Sequence, residues 1–233
     1  MYNFIYEKVN TIEEVEKLLN ESEETKILAG GQTLIPTMKQ RLASPSTLID
    51  ISGIDELNFI NDNGNSVTIG STVTHHEVSS SDIIMNKIPS LASLAEGIGD
   101  PHVRNMGTIG GSIANNDPTA DYPTACLSLN AKIKTNNREI NAEDFFIGLF
   151  ETALEENEIV VSIEFNIPKK SSYMKFPNPA SRYAMAGVYV SVFDNAVNVA
   201  VTGASENGVF KWTEMEEALS SNLSLENAKN IKL

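Results

Sequence analysis

What this chain has little of narrows its chemistry first. It carries one cysteine, Cys126. No disulfide can close within the chain, and one thiol cannot hold an iron–sulfur cluster, which takes about four ligands. Cys126 sits among Ala125, Leu127 and Leu129, the setting of a buried, inert thiol rather than a nucleophile. Basic residues are also few: 17 Lys and Arg stand against 31 Asp and Glu, a formal net charge of -14. Such a field repels nucleic acid and anionic lipid. No segment approaches the roughly 18 uninterrupted apolar residues of a membrane-spanning helix, and residues 1–8 lack a basic region leading into an apolar run. These absences point to a cytoplasmic protein with neither nucleic acid nor a membrane span to accommodate.

Catalytic motifs are missing as well. No G-x-G-x-x-G follows a strand, no G-x-x-x-x-G-K-[ST] occurs, and there is no G-x-S-x-G elbow, so the Rossmann fingerprint, the P-loop and the hydrolase nucleophile all drop out. Only three histidines are present, and two of them, His75 and His76, are adjacent. The spacing from Thr74 to Glu77 predicts a capped helix with both on its exposed first turn. Neighbours on a helix point about 100° apart and cannot chelate one metal as an i, i+4 pair does. No catalytic acid or base and no metal site is expected.

What is present is glycine placed between hydroxyls. Thr108-Ile109-Gly110-Gly111-Ser112-Ile113-Ala114-Asn115-Asn116-Asp117-Pro118 runs on to Asp121 and Pro123, and it reads as a ligand loop. Ala29-Gly30-Gly31-Gln32-Thr33-Leu34 repeats the formula earlier in the chain. Without a Cβ, glycine lets the backbone approach a ligand and lets successive N–H groups converge on an anion without a basic side chain. Two such stretches suggest one bridging phosphate ligand.

The 233 residues, 41% of them hydrophobic, suffice for two or three packed lobes. Thr11 and Glu14 have capping-box spacing, with Ile12, Val15, Leu18 and Leu19 at helical intervals. A short strand at 26–29, a helix at 34–39 with Pro36 in its first turn, and a strand at 47–51 make a βαβ-like lobe with parallel pairing, closing near Ile54. A turn at 61–65 and a strand at 66–70 open a second lobe. Leu91, Leu94, Ala95 and Ile98 are spaced for one helix face, 132–135 reads as a strand, 143–146 as a short helix, and 158–165 as the clearest strand of all, ended by Pro168. Beyond a boundary at 169–172, strands at 186–192 and 196–201 turn at Asp194-Asn195 and precede a helix at 213–219. The expected fold is α+β, with lobes at 1–55 and 56–168 and a smaller C-terminal unit with an antiparallel sheet at 169–233.

Ala29-Gly30-Gly31-Gln32-Thr33-Leu34-Ile35-Pro36 with Lys39, and Asp100-Pro101-His102-Val103-Arg104-Asn105-Met106-Gly107-Thr108-Ile109-Gly110-Gly111-Ser112-Ile113-Ala114, together resemble the flavin subunit of molybdenum hydroxylases, nearest to the medium subunit of aerobic carbon monoxide dehydrogenase. The resemblance spans essentially the whole chain, including residues 159–163 and 179–187. It implies a PCMH-type FAD-binding fold of two α/β lobes and a smaller α+β domain. It further implies FAD as cofactor, with Ala29, Gly30, Gly31, Gln32, Thr33 and Leu34 binding the pyrophosphate from one side and Thr108, Ile109, Gly110, Gly111 and Ser112 from the other. By the same resemblance Asp121 is an acid near the FAD, with a helix cap as its alternative role, Val160 packs on the cofactor, and Ile98 is an apolar contact or simply core. Arg182 and Tyr183 are suggested ring contacts. Some relatives carry a lysine a few residues before the position of Arg182; here Asn178 holds that spacing and Lys175 is displaced toward the strand. The chain ends at Ile231-Lys232-Leu233, short of a final helical segment found in similar subunits.

The implied role is electron transfer in a heterotrimer. A molybdenum-cofactor large subunit oxidises substrate, an iron–sulfur small subunit relays electrons, and the FAD chain passes them to an external acceptor. A stand-alone FAD oxidoreductase and an orphan FAD-binding or assembly module are the alternatives. The substrate belongs to the molybdenum subunit and is not encoded here.

Overall fold

A computed structural model describes residues 1–21 and 24–231; Lys232 and Leu233, at the end of the expected C-terminal unit, lie outside the described residues. The first sheet has three strands in the order Ile5–Lys8, Thr47–Asp50, Thr25–Leu28, and both pairings are parallel. Helices Ile12–Leu19 and Leu34–Lys39 make the crossovers that parallel strands require. Thr11 caps the first of these by accepting from Glu14 N. The return half of the box is altered, because the Glu14 carboxylate accepts from Asn10 N at 2.8 Å rather than from the cap residue. Val9, Val15, Leu19, Ile49, Ile51, Ile54 and Leu57 form the core beneath this sheet, and Ile159 reaches into it from the next.

The second sheet has five strands, ordered Ile60–Asp62, Ser66–Gly70, Val160–Asn166, Lys132–Thr135, Glu139–Asn141, and is antiparallel throughout. The strand read at 158–165 takes its central place, paired along both edges. Asn61 and Asp62 belong to its edge strand, so the turn shortens to residues 63–65. Between Gly70 and Lys132 the chain leaves the sheet and returns as a layer of short helices: His75–Ser80, Asp82–Lys87, Pro89–Glu96, Pro101–Arg104, Ile109–Asn115 and Tyr122–Ser128. Their apolar sides join Val67, Ile69, Ile133, Ile163 and Phe165 in the largest core.

The third sheet is antiparallel, Lys170–Pro177, Ala184–Val192, Val197–Thr202 and Phe210–Lys211 in sequence order. Helix Thr213–Ser221 covers part of its outer face, where Val188, Val190, Val197, Val199, Met215, Leu219 and Trp212 pack. No helix among the described residues is long and apolar enough to cross a membrane.

Candidate functional site

The two glycine stretches, 78 residues apart in sequence at Gly30 and Thr108, meet in space. A Cβ on Gly30 would stand 1.9 Å from Met106 O and 2.8 Å from Gly107 Cα, so the first stretch lies directly on the backbone that leads into the second. On the other side that backbone is held by residues 71–75: Ile109 N donates to Val73 O, Gly110 N to Ser71 O and His75 N to Gly107 O, all at 2.9–3.0 Å. The resulting stack places residues 29–33, then 106–111, then 71–75 in three successive layers.

The second stretch is not a loop. Thr108, in extended conformation, is the N-cap of helix Ile109–Asn115, and its hydroxyl accepts from Gly111 N at 3.1 Å. Gly110 and Gly111 therefore occupy a first helical turn. Glycine disfavours a helix interior by about 1 kcal/mol, but a Cβ on Gly110 would fall 2.5 Å from Ser71 Cβ and 2.6 Å from its carbonyl oxygen. Close packing, not looping, requires it. The sequence hid the helix because Gly111 stands at the third helical position, where a capping box would show Glu or Gln.

Donors in the two stretches differ sharply. The N–H groups of Ile109, Gly110, Gly111 and Ser112 are all committed, to Val73 O, Ser71 O, Thr108 Oγ1 and Thr108 O. Among the described residues, those of Gly30, Gly31, Gln32, Thr33 and Leu34 donate to no protein acceptor. A run of unsatisfied backbone donors at a partly exposed turn is available to an anion. That availability belongs to the first stretch; the second packs beneath it.

Residues 117–121 join this assembly to the third sheet. Thr202 Oγ1 donates to Pro118 O and Ala120 O at 3.0 and 2.9 Å, Gly203 N donates to Pro118 O, and Ala184 N to Thr119 O. The stitching brings Tyr183 over the site, where its hydroxyl meets the Thr33 side chain and it senses Asp117 and Asp121. Arg182, adjacent, is exposed with φ +61°.

Asp121 is buried and stands at the N-cap position of helix Tyr122–Ser128 with helical dihedrals, but its side chain makes no capping hydrogen bond. Its carboxylate accepts from the Tyr173 hydroxyl and pairs with Lys175 Nζ at 3.0 Å. Lys175 Nζ also donates to Gly97 O at 2.9 Å. Burial raises the Asp121 carboxyl above its ordinary range, while the Lys175 charge and the two hydrogen bonds oppose that rise. The displacement of Lys175 along its strand is what places it, two residues from Tyr173, on the face that reaches Asp121. The period-two alternation of strand Lys170–Pro177 was the signal for this pair.

Ile98 lies past the end of helix Pro89–Glu96, which Gly97 closes, so it does not continue the apolar helix face expected from its spacing. It packs on the large core, and its carbonyl accepts from Arg104 Nη1 at 3.1 Å. Val160, at the start of the central strand, is buried in the same core as Ile109 and Ile113. His75 corrects a second expectation. It is 5% exposed, with its ring 5.4 Å from that of Tyr122; only His76 faces solvent. The complete capping box of Thr74 and Glu77 sets the helix start as expected, but the segment behind Gly107 lies over it. Cys126 is fully buried, which pushes its thiol up and leaves it inert. No group of His, Cys, Asp and Glu able to hold a metal occurs among the described residues.

The profile of a family described as FAD binding domain in molybdopterin dehydrogenase matches residues 2–170. The chain belongs to this family. The glyceraldehyde dehydrogenase medium chain of Sulfolobus acidocaldarius is 38% identical to this FAD-binding chain over 195 residues, 81% of it and 69% of the relative. The carbon monoxide dehydrogenase medium chain of Hydrogenophaga pseudoflava is 37% identical over 197 residues, with 80% and 68% covered. Among solved structures, carbon monoxide dehydrogenase from the same organism superposes with a TM-score of 0.84 at 34% identity, covering 90% of this chain and 77% of that one. Quinoline 2-oxidoreductase from Pseudomonas putida superposes at 0.91 with 26% identity, covering 97% and 83%. The α+β fold expected from the sequence is thus the fold of this family, FAD is its cofactor, and the chain is an oxidoreductase flavoprotein.

The geometry suits that cofactor. A dinucleotide pyrophosphate is an anion that must be held against a net charge of -14, and the uncommitted N–H groups of residues 30–34 offer it dipoles rather than cations.

Proposed function

We propose that this chain is the electron-transfer subunit of a molybdenum hydroxylase complex, receiving electrons from an iron–sulfur small subunit that serves a molybdenum-cofactor large subunit, and delivering them to an external acceptor. The carrying observation is the first glycine stretch, with its uncommitted donors seated on the backbone of the second. Relatives named medium chains of dehydrogenases support the assembly. FAD, when bound, supplies a redox couple that takes up and gives out electrons singly or in pairs. The chain's own residues bind and orient. Gly30, Gly31, Gln32, Thr33 and Leu34 donate to the pyrophosphate; Thr108, Ile109, Gly110, Gly111 and Ser112 form the surface beneath it; Ala29 leads the strand into the turn. Ile98 and Val160 back the site from the core, Asp121 and Lys175 form its polar wall, and Tyr183 closes it from the third sheet. Residues 1–55 and 56–168 act as the two cofactor lobes and 169–233 as the covering unit, in a cytoplasmic complex.

The purified chain is expected to carry FAD noncovalently. Flavin absorption released into the supernatant on denaturation, and stoichiometric uptake on titration of the stripped protein, check this; a colourless protein that takes up no FAD refutes it. Co-purification with iron and molybdenum proteins, with electron transfer to a dye, tests the assembly, while a chain that reduces the dye alone on its own substrate is a stand-alone enzyme. Gly111→Val should weaken FAD binding by about tenfold or more, because a Cβ there lies 2.9 Å from Thr108 Oγ1 and displaces the hydroxyl that caps the helix. Equilibrium titration reads the effect, and unchanged affinity removes this helix start from the site.

A further inference from the structure

The floor of the glycine stack rests on one side chain that the cofactor reading does not use. The His75 imidazole lies under Gly107 so closely that a Cβ on that glycine would stand 2.7 Å from Nε2 and 2.9 Å from Cδ2. Directly above, the missing Cβ of Gly30 would meet Met106 O and Gly107 Cα. Ring, peptide and glycine turn are therefore in contact in series, and the Tyr122 ring lies against the imidazole, 5.4 Å away between centroids and tilted. The backbone at this point is pinned as well: His75 N donates to Gly107 O at 2.9 Å, and Thr74 and Thr108 form an antiparallel bridge. The next nearest atom to that point is Val103 O at 3.1 Å.

We infer that His75 is a positioning residue for the cofactor, a wedge whose thickness sets the height at which the peptide of residues 106–107 meets Gly30 and so the shape of the donor turn above. This rests on the FAD reading given above. It acts through Gly107 and is not a catalytic residue.

In this place the ring also takes a proton less readily than in water. His75 Nδ1 is buried with no hydrogen-bond partner. From helix Pro101–Arg104 the guanidinium of Arg104 faces it, held by the carbonyls of Ile98 and Gly99. From the neighbouring helix come the Tyr122 hydroxyl, itself unpartnered, and Asp121 just before it, already paired with Lys175. On its own helix Glu77 is engaged by Thr74, and His76 points to solvent. Burial first, and then the Arg104 charge, push the imidazole down to about 4 from 6.5. A proton on the ring finds a cation nearby and no acceptor. A loosened stack, with the ring in water, takes that proton more readily, so the flavin-holding form loses ground as pH falls from about 6.5 toward 4.

The test is FAD titration of stripped whole chain by flavin fluorescence, at pH 7 and pH 5, for wild type and the variants H75A, H75F, G107A and H75A/G107A, with far-ultraviolet circular dichroism on each. Wild type reports the FAD reading itself: no uptake there overturns that reading and not the wedge. With uptake established, H75A should bind at least about tenfold more weakly at pH 7, whereas H75F, which keeps the ring and loses the titration, should stay within about threefold. From pH 7 to pH 5 the affinity of wild type should fall about tenfold more than that of H75F. The methyl of G107A collides with the ring, so H75A should restore affinity to G107A although each change alone weakens it, a coupling that a general loss of stability does not produce. H75A binding like wild type, identical acid responses in wild type and H75F, or additive losses in the double variant would each overturn the inference. If H75A fails to fold, the H75F comparison alone decides it.

Discussion

Gly30→Ala should leave a chain that no longer retains FAD at micromolar concentration. The added methyl would have to occupy a point 1.9 Å from the Met106 carbonyl oxygen and 2.6 Å from its carbon. Those are backbone atoms, so no rotamer change relieves the overlap, and the turn must lift away from the segment of residues 106–108. Lifting it separates the uncommitted donors of residues 30–34 from the floor that fixes their direction. A loss of at least about a hundredfold in affinity is expected, equivalent to roughly 3 kcal/mol. The same substitution at Gly148, where a Cβ meets only Glu151 atoms at 3.6 and 4.0 Å, should bind FAD as the parent does. Equilibrium titration of both stripped proteins checks the pair; equal retention by the Gly30 and Gly148 variants would show that the stretches need not touch.

The second large effect lies in stability. Lys175 and Asp121 face each other with side chains 10% and 5% exposed, so Lys175→Ala abandons a buried carboxylate to the Tyr173 hydroxyl alone. Removing one member of a buried pair destabilises by about 3–5 kcal/mol, more than the pair contributes over an apolar replacement. For a chain of this length that is a drop in melting temperature of roughly 10 °C. The pH dependence follows in sign. Without the lysine, burial holds the Asp121 carboxyl above its unfolded value, so the folded variant binds the extra proton. Its deficit is smallest at low pH and grows as pH rises through the raised value. Denaturant midpoints at pH 5 and pH 8 should therefore lie farther from the parent's at pH 8. Asp121→Asn, which removes the charge but keeps an acceptor for Tyr173, should lose less than Lys175→Ala. The opposite order would mean that Asp121 is not charged in the folded chain.

Which parts of this architecture could be read from the residues follows from where their signals lie. The parallel lobe was legible because Thr25–Leu28 and Thr47–Asp50 each carry an apolar pair, Ile27-Leu28 and Leu48-Ile49, on either side of a predicted helix. Its edge strand Ile5–Lys8 was not, since all four residues are exposed and only backbone pairing with Thr47–Asp50 makes them a strand. Val160–Asn166 announced itself as a strand because Val160, Val161, Ile163 and Phe165 crowd into six positions; its central place shows only in the pairing. Lys170–Pro177 alternates in burial but not in residue type, and it began inside what read as a boundary at 169–172. At the site, the glycine and hydroxyl pattern located both stretches, but local composition could not show that one is a helix start packed on Ser71. Nor could it show that His75 is covered. Burial of that ring is decided by Gly107 and Tyr122, and no rule of helix periodicity anticipates a neighbour that arrives from 32 residues downstream.

The chain has a single tryptophan, Trp212, and its place gives the molecule an optical gauge of its own. Trp212 N donates to Val199 O, on the strand whose last residue, Thr202, grips Pro118 and Ala120. The lone indole is thus wired through a few residues of sheet to the segment of residues 117–121, beside the Tyr183 that meets Thr33. Its emission overlaps the near-ultraviolet absorption band of an oxidised flavin, so energy transfer from residue 212 reads cofactor occupancy without a label, and no second indole contaminates the signal.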